Sequence, residues 1–197
     1  MKKKIILVSL LLAGSFCANA QVEKSKTVTI TADLQTSMQF NMPGGGSPNI
    51  DFEFRTINNF KKGLGGYLNS NYAFYGQIES TANWKLIMQA KTNFTHSDGA
   101  TTMKLDNLGV TVEWRGKNKV YNKAKKRPLA VSKSSVLLLD QYRGRTNAGT
   151  KKDNEFNVFF EMGTRRGNMN QKSLYQQNLK KGKYQVEVDF ITVENIR

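Results

Sequence analysis

Residues 84–90 read W-K-L-I-M-Q-A, and residues 108–114 read L-G-V-T-V-E-W. In both stretches an apolar side chain occupies every second position, which predicts a β-strand with one buried face and one solvated face. Each stretch also carries a tryptophan, Trp84 or Trp114, and a buried indole removes a large apolar area from water. We therefore expect these two strands to form the centre of the core.

The same alternation recurs along most of the chain, between segments rich in Gly, Pro and Asn that interrupt strands. We expect about seven to nine strands and no long helix, and this spacing predicts an all-β fold, an immunoglobulin-like or pilin-like antiparallel β-sandwich. A Gly-rich connection at 58–71 has room for one short helical turn. The other predicted strands lie at 26–34 (K-T-V-T-I-T-A-D-L), 50–54 (I-D-F-E-F), 72–78 (Y-A-F-Y-G-Q-I), 136–139 (V-L-L-L), 155–162 (E-F-N-V-F-F-E-M) and 184–190 (Y-Q-V-E-V-D-F).

The first twenty residues have the pattern of a secretory signal peptide. A basic K-K-K at 2–4 precedes an apolar run at 5–16, and A-N-A at 18–20 matches a signal-peptidase site. The apolar run has 12 residues, fewer than the roughly 20 that a membrane-spanning helix needs. We expect a signal peptide at 1–20, a single β-sandwich domain at 21–197, and export to the periplasm, the cell surface or the extracellular space.

The chain is strongly basic, with 30 Lys and Arg against 15 Asp and Glu. Removal of residues 1–20 takes away three lysines, which leaves 27 basic and 15 acidic residues and a net charge of +12. Such a charge attracts polyanions such as acidic polysaccharide or other cell-envelope polymers, although it also promotes solubility without any ligand. No nucleic-acid-binding motif accompanies the charge, so we expect no specific nucleic acid partner.

Three stretches resemble bacterial surface β-sandwiches of the pilin and spore-coat type. They are the Thr- and Val-rich strand at 26–34, S-T-A-N-W-K-L at 80–86, and the closing strand that follows Leu179 with G-K-Y-Q-V-E-V at 182–188. W-K-L at 84–86 is also similar to the W-x-L tripeptide of cell-wall-binding WxL domains. The resemblance implies an extracellular, non-catalytic subunit, in which 26–34 pairs within its own sheet or is donated to the open sheet edge of a neighbouring subunit.

The residues available for catalysis are few. After export the chain has no Cys and one histidine, His96. The stretch around His96 contains no G-x-S-x-G nucleophile elbow, so we predict that His96 is a solvated turn residue. Zinc and EF-hand spacings are absent, so we predict no catalytic residue, no metal site, no cofactor and no enzyme. The remaining alternative is a hydrolase with paired carboxylates, for which the candidates are Glu79, Glu113, Glu161 and Glu187. The alternation places several of them on solvated strand faces, where a surface charge is expected.

Two basic segments, 115–133 and 143–152, are the predicted binding site. If they lie at the same end of the sandwich, their side chains form one cationic patch for sulfate, phosphate or carboxylate groups. Tyr121 and Tyr142 lie in or beside these segments and are suited to stacking on sugars. The alternative is that both are flexible solvated loops. The predicted polyanion-binding residues are Arg115, Lys117, Lys119, Lys123, Lys125, Lys126, Arg127, Arg143 and Arg145.

The sequence therefore predicts an exported, non-catalytic surface protein, a structural or adhesive component such as a fimbrial or fibre subunit. Its partners would be copies of itself or other surface subunits, joined through an edge strand. One alternative is a soluble polyanion- or glycan-binding module that uses the basic segments. A second is a small outer-membrane β-barrel, because such barrels also alternate apolar and polar residues.

Overall fold

A computed structural model describes residue 32 and residues 36–43 and 48–195. The chain divides after Leu34, and all the described residues except Ala32 belong to the second unit, Gln35–Arg197. That unit contains one short helix, α1 (Ile57–Lys62), where the sequence predicted a helical turn. Its strands are β1 (Met38–Asn41), β2 (Leu64–Gly65), β3 (Ala73–Ser80), β4 (Trp84–Ala90), β5 (Phe94–His96), β6 (Thr102–Met103), β7 (Leu108–Trp114), β8 (Val120–Asn122), β9 (Leu129–Ala130), β10 (Val136–Gln141), β11 (Glu155–Met162), β12 (Tyr184–Gln185) and β13 (Val188–Glu194).

The strands form three antiparallel sheets. The largest has the order β1-β3-β11-β7-β9, with β2 paired to the end of β11. The second has the order β13-β4-β10-β8, and the third is the short sheet β12-β5-β6. Seven of these strands have four or more residues and two have three. The prediction of seven to nine strands therefore matches the nine strands of three or more residues in the described part of the chain.

The first two sheets enclose the core, and the all-β antiparallel sandwich predicted from the sequence is confirmed. Trp84, Leu86 and Met88 of β4 are fully buried, and they alternate with half-buried residues. Across the interface, the ring centroids of Trp84 and Trp114 lie 6.1 Å apart. Phe74 of β3 contacts Phe190 of β13 edge to face, with ring centroids 5.0 Å apart. Both strands predicted as the centre of the core contribute to it.

Two neighbouring strands of the large sheet, β7 and β11, are buried on both faces along part of their length, at 108–112 and 158–162. Thr111 and Glu161, on the face away from the core, are each 0% exposed. The segment 163–169 covers this face, and a Cβ at Gly109 would collide with the side chain of Met169. A strand with two buried faces departs from the predicted pattern of one solvated face.

Three further strand predictions are corrected. Residues 50–54 are not a strand, because Ile50, Phe52 and Phe54 pack as half-buried side chains without ladder pairing. Residues 81–83 form a turn between β3 and β4, so 80–86 is not one continuous strand. The closing strand is interrupted at 186–187, and its two parts, β12 and β13, join different sheets.

The predicted signal peptide at 1–20 and the predicted strand at 26–34 lie outside the described residues, apart from Ala32. Among the helices that the structure describes, none has the length and hydropathy of a membrane span.

Candidate functional site

A cleft of about 390 Å³ opens where the large sheet meets β8 and the end of β10. Four aromatic side chains line it: Tyr67, Trp114, Tyr121 and Tyr142. Tyr121 is 48% exposed, so much of its ring remains open to a ligand. Trp114 connects the cleft to the core, because its ring also stacks on Phe156 at 6.4 Å.

The chain segment 122–124 forms the floor of this junction by bonding to both sheets. The backbone N–H of Lys123 donates to the carbonyl of Leu138 on β10 at 2.9 Å. On the other side, the N–H of Val112 on β7 donates to the carbonyl of Ala124 at 3.0 Å. The cleft therefore has a rigid base of backbone hydrogen bonds.

Three polar side chains complete the lining: Glu113, Asn122 and Lys125. Glu113 Oε2 accepts a hydrogen bond of 2.9 Å from Asn157 Nδ2, which fixes the carboxylate against the sheet. Asn122 Nδ2 donates to the carbonyl of Val112 at 2.8 Å, while its Oδ1 has no partner among the described residues. Because that Oδ1 is itself buried, the cleft offers a ligand the Glu113 carboxylate as an acceptor and the Lys125 ammonium group as a donor.

A tight turn at 142–145 carries the second basic segment past the cleft. The N–H of Arg145 donates to the carbonyl of Tyr142 at 2.9 Å, and Arg143 and Gly144 have φ of 44° and 74°. Positive φ at both central residues is the signature of a type I′ turn. The turn places the Arg143 guanidinium carbon 5.3 Å from the ring centre of Tyr142.

Buried asparagines hold the second basic segment in place. Asn147 is 0% exposed, and its Oδ1 accepts from the backbone N–H of Trp84 at 3.0 Å. Its Nδ2 donates to the Trp84 carbonyl at 2.8 Å, and its own carbonyl accepts from Trp84 Nε1 at 2.8 Å. The segment is therefore anchored to the central core tryptophan.

Asn118 joins the first basic segment to the second. Its Nδ2 donates to the carbonyls of Asn147 and Ala148 and to Asn154 Oδ1, at 3.3, 3.0 and 3.0 Å. Its own carbonyl accepts from Trp114 Nε1 at 2.8 Å. Hydrogen bonds consequently connect both basic segments to both tryptophans, which is a different arrangement from two independent flexible loops.

The predicted basic residues occupy different parts of this surface. Lys125 lines the cleft and Arg143 lies over Tyr142, whereas Arg115 and Lys117 lie towards Tyr75 and Asp153. Burial raises the pKa of Tyr75, and hydrogen bonds from Thr150 lower the pKa of Asp153, with a smaller contribution from Lys117. The other predicted residues are exposed on the same segments, and no contact to the cleft is found for them: Lys119, Lys123, Lys126, Arg127 and Arg145.

All nine predicted residues are exposed, and none of them forms an ion pair with a carboxylate in the described part of the chain. The asparagines that position these segments are neutral, so they hold the backbone without neutralising the basic groups. The positive charge therefore remains available to an external anion.

The catalytic alternatives find limited support in the geometry. Among the four candidate glutamates only Glu113 lines the cleft. It pairs in register with Asn157, whereas Glu161 pairs with Gly109. Along the strand direction, Glu113 and Glu161 are therefore four residues apart, a distance of about 13 Å. The two catalytic carboxylates of an inverting glycosidase are only about 6.5–9.5 Å apart. Glu79 and Glu187 form exposed ion pairs with Lys151 and Lys91.

His96 was predicted to be a solvated turn residue, and that prediction is wrong. It lies at the end of β5 and is only 7% exposed, with Nε2 3.1 Å from the carbonyl of Lys181. Its Nδ1 accepts from the N–H of Asp98 at 3.1 Å. In the residues that the structure covers, no three His, Cys, Asp or Glu side chains cluster as metal ligands would.

Sequence reasoning missed Tyr67, Asn122 and the three anchoring asparagines. Tyr67 lies in the Gly-rich connection, and only the pairing of β2 with β11 brings it to the cleft. The asparagines belong to segments read as loops because of their charge. Only Asn118, between Lys117 and Lys119, is marked in the sequence as a neutral polar residue within a basic run. Asn147 and Asn154 carry no such signal.

Comparison with the models of known protein families gives no match to this chain, and no curated protein sequence matches it.

Proposed function

We propose that this protein is an exported, non-catalytic adhesive protein that binds acidic polysaccharide at the aromatic cleft. The observation that carries the proposal is the combination of four aromatic rings with basic side chains that lack carboxylate partners among the described residues. Its export rests on the signal-peptide pattern of residues 1–20.

The aromatic rings are suited to sugars. A pyranose presents an apolar face of C–H groups, and a Tyr or Trp ring supplies a matching apolar surface with a polar atom at its edge. Ligand sites generally combine such surfaces with a few fixed polar groups. Here Glu113 provides an acceptor for sugar hydroxyls, and Lys125 provides a cation for a carboxylate or sulfate.

A single-stranded nucleic acid is the nearest competing ligand, because stacking rings beside a basic groove also bind bases and phosphates. Glu113 favours the polysaccharide. Its carboxylate lines the cleft beside Lys125, where it accepts hydrogen bonds from sugar hydroxyls, which the phosphodiester backbone of single-stranded DNA lacks. Donation of strand 26–34 to another subunit stays a prediction, and it is compatible with a polysaccharide-binding cleft.

The test is direct binding of the purified protein to immobilised polygalacturonate and dextran sulfate, with neutral dextran and single-stranded DNA as comparisons. We expect binding to the two acidic polysaccharides that weakens steeply with salt, because counterions compete for the same groups. The variant Lys125→Gln/Lys126→Gln/Arg127→Gln should lose at least about tenfold in affinity, which corresponds to about 1.4 kcal/mol.

The matched control is Lys172→Gln/Lys181→Gln/Lys183→Gln, which removes the same charge from three exposed lysines outside both basic segments. It should retain most of the affinity. Equal losses in the two triple variants would mean that net charge alone drives binding. Tighter binding of DNA than of either polysaccharide would replace the proposed ligand.

A further inference from the structure

Glu161 is the one acidic side chain among the described residues that is fully buried, at 0% exposed. A buried carboxylate is costly unless hydrogen bonds and an opposite charge surround it. Its Oε2 accepts from Thr164 Oγ1 at 2.5 Å and lies 3.7 Å from Arg166 Nη1. The ion pair with Glu161 therefore ties the Arg166 guanidinium to the sheet, while the Arg166 side chain remains about half exposed.

The other end of the Arg166 guanidinium contacts the first basic segment. Its Nη2 donates to the backbone carbonyl of Lys126 at 3.3 Å. Lys126 has φ of 58°, a left-handed conformation that a non-glycine residue adopts at a cost and that its surroundings must stabilise. Lys125, the preceding residue, lines the cleft.

The two residues after Arg166 contact the same segment. A Cβ at Gly167 would collide with the carbonyl of Pro128, so only glycine permits this close approach. Asn168 Oδ1 accepts a hydrogen bond of 2.7 Å from the N–H of Ala130. Residues 166–168 therefore support 126–130 at successive positions, and Arg166 is the contact nearest the cleft.

We propose that Arg166 is a positioning residue of the cleft: held by the buried Glu161, it fixes the backbone at Lys126 so that Lys125 and Lys126 face an acidic ligand. This inference rests on the proposed function. It differs from a direct role for Arg166 in binding, because the groups it acts through are the two lysines.

The experiment compares Arg166→Gln with Arg165→Gln on immobilised polygalacturonate. Both variants remove one exposed positive charge, but of these two arginines only Arg166 contacts Glu161 and Lys126 in the described part of the chain. Arg166→Gln should weaken binding about three- to tenfold more than Arg165→Gln, which lies within the range expected for the loss of one typical hydrogen bond. Thermal unfolding verifies that both variants fold.

Two further variants separate positioning from charge. Glu161→Gln raises the net charge by one, so charge alone predicts equal or tighter binding, whereas loss of positioning predicts weaker binding. In a Lys125→Gln/Lys126→Gln background the additional effect of Arg166→Gln should vanish, because Arg166 acts through those lysines. Equal affinities of Arg166→Gln and Arg165→Gln, or an undiminished Arg166→Gln effect in that background, overturn the inference.

Amide hydrogen exchange keeps the inference testable without a ligand. Arg166→Gln should increase exchange at 124–127 relative to Arg165→Gln, and unchanged exchange there overturns it. If the wild-type protein binds neither acidic polysaccharide, the proposed function fails, while faster exchange in Arg166→Gln would still support the contact between Arg166 and the segment.

Discussion

At the cleft the basic side chains have no carboxylate partners in the described part of the chain, whereas at the short sheet of β5, β6 and β12 the charged groups pair with one another. There Asp98 Oδ2 lies 2.8 Å from Lys180 Nζ. Lys91 and Glu187 form a further ion pair nearby in the chain, at 3.3 Å. The cleft instead relies on neutral asparagines for its hydrogen bonds.

The comparison shows two ways of fixing a basic segment. Ion pairs fix a side chain but use up its charge, so the Asp98 region has little left to offer an anion. Amide hydrogen bonds fix the backbone and leave the charge exposed, which is the arrangement that a polyanion-binding surface requires. The following predictions test that difference, from the largest expected effect to the smallest.

The largest effect is expected from Asn147→Ala. The substitution leaves the backbone N–H and C=O of Trp84 without their side-chain partners in a fully buried site. Unpaired buried groups each carry a substantial desolvation cost, so the free energy of unfolding should fall by about 2–4 kcal/mol. Urea unfolding measures the loss. Asn93→Ala, an exposed asparagine beside β5, is the control and should stay within about 0.5 kcal/mol of wild type.

A smaller effect, on binding rather than stability, is expected from Tyr121→Ala. Removal of this 48% exposed ring should weaken binding to polygalacturonate about three- to tenfold, through the loss of stacking area. Tyr175→Ala removes a similarly exposed ring at 57% outside the cleft and should leave binding unchanged. Equal losses from both variants would contradict an aromatic role for the cleft.

Period-two alternation predicted most of the fold because the core side chains of β4, β7 and β11 follow it. The same reasoning failed for 50–54, since burial of alternate residues does not require a strand partner. It also failed at 184–190, where one alternating run serves two sheets. Charge alone predicted nine binding residues, of which only Lys125 lines the cleft. The cleft itself could not be predicted, because Tyr67, Glu113 and Tyr142 meet only after distant strands pair.

The smallest effect is expected at the paired end, from Asp98→Asn. Hydrogen bonds from Lys180, and then from Thr101, hold the pKa of Asp98 well below its ordinary value of 3.8. A carboxyl whose pKa is lower in the folded state stabilises the fold above 3.8 and loses that contribution as the pH falls further. The pKa of Lys180 is raised by the same partner, so its contribution lasts until alkaline pH.

Asp98→Asn should therefore lower the melting temperature slightly at neutral pH, and the difference from wild type should shrink below about pH 4. Polygalacturonate binding at the cleft should not change, because neither Asp98 nor Lys180 lines it. Melting curves between acid and neutral pH measure the first part. A difference in melting temperature that grows as the pH falls would contradict this prediction.

The most direct test of the central claim maps the ligand on the protein. Titration of the isotope-labelled protein with short galacturonate oligosaccharides, followed by amide chemical shifts, shows which residues sense the ligand. We expect the largest changes at 120–126 and 142–145, with Tyr67 and Glu113 among them. Changes centred on 180–187 and 96–101, or none at any concentration that the oligosaccharide reaches, would contradict a polysaccharide-binding cleft.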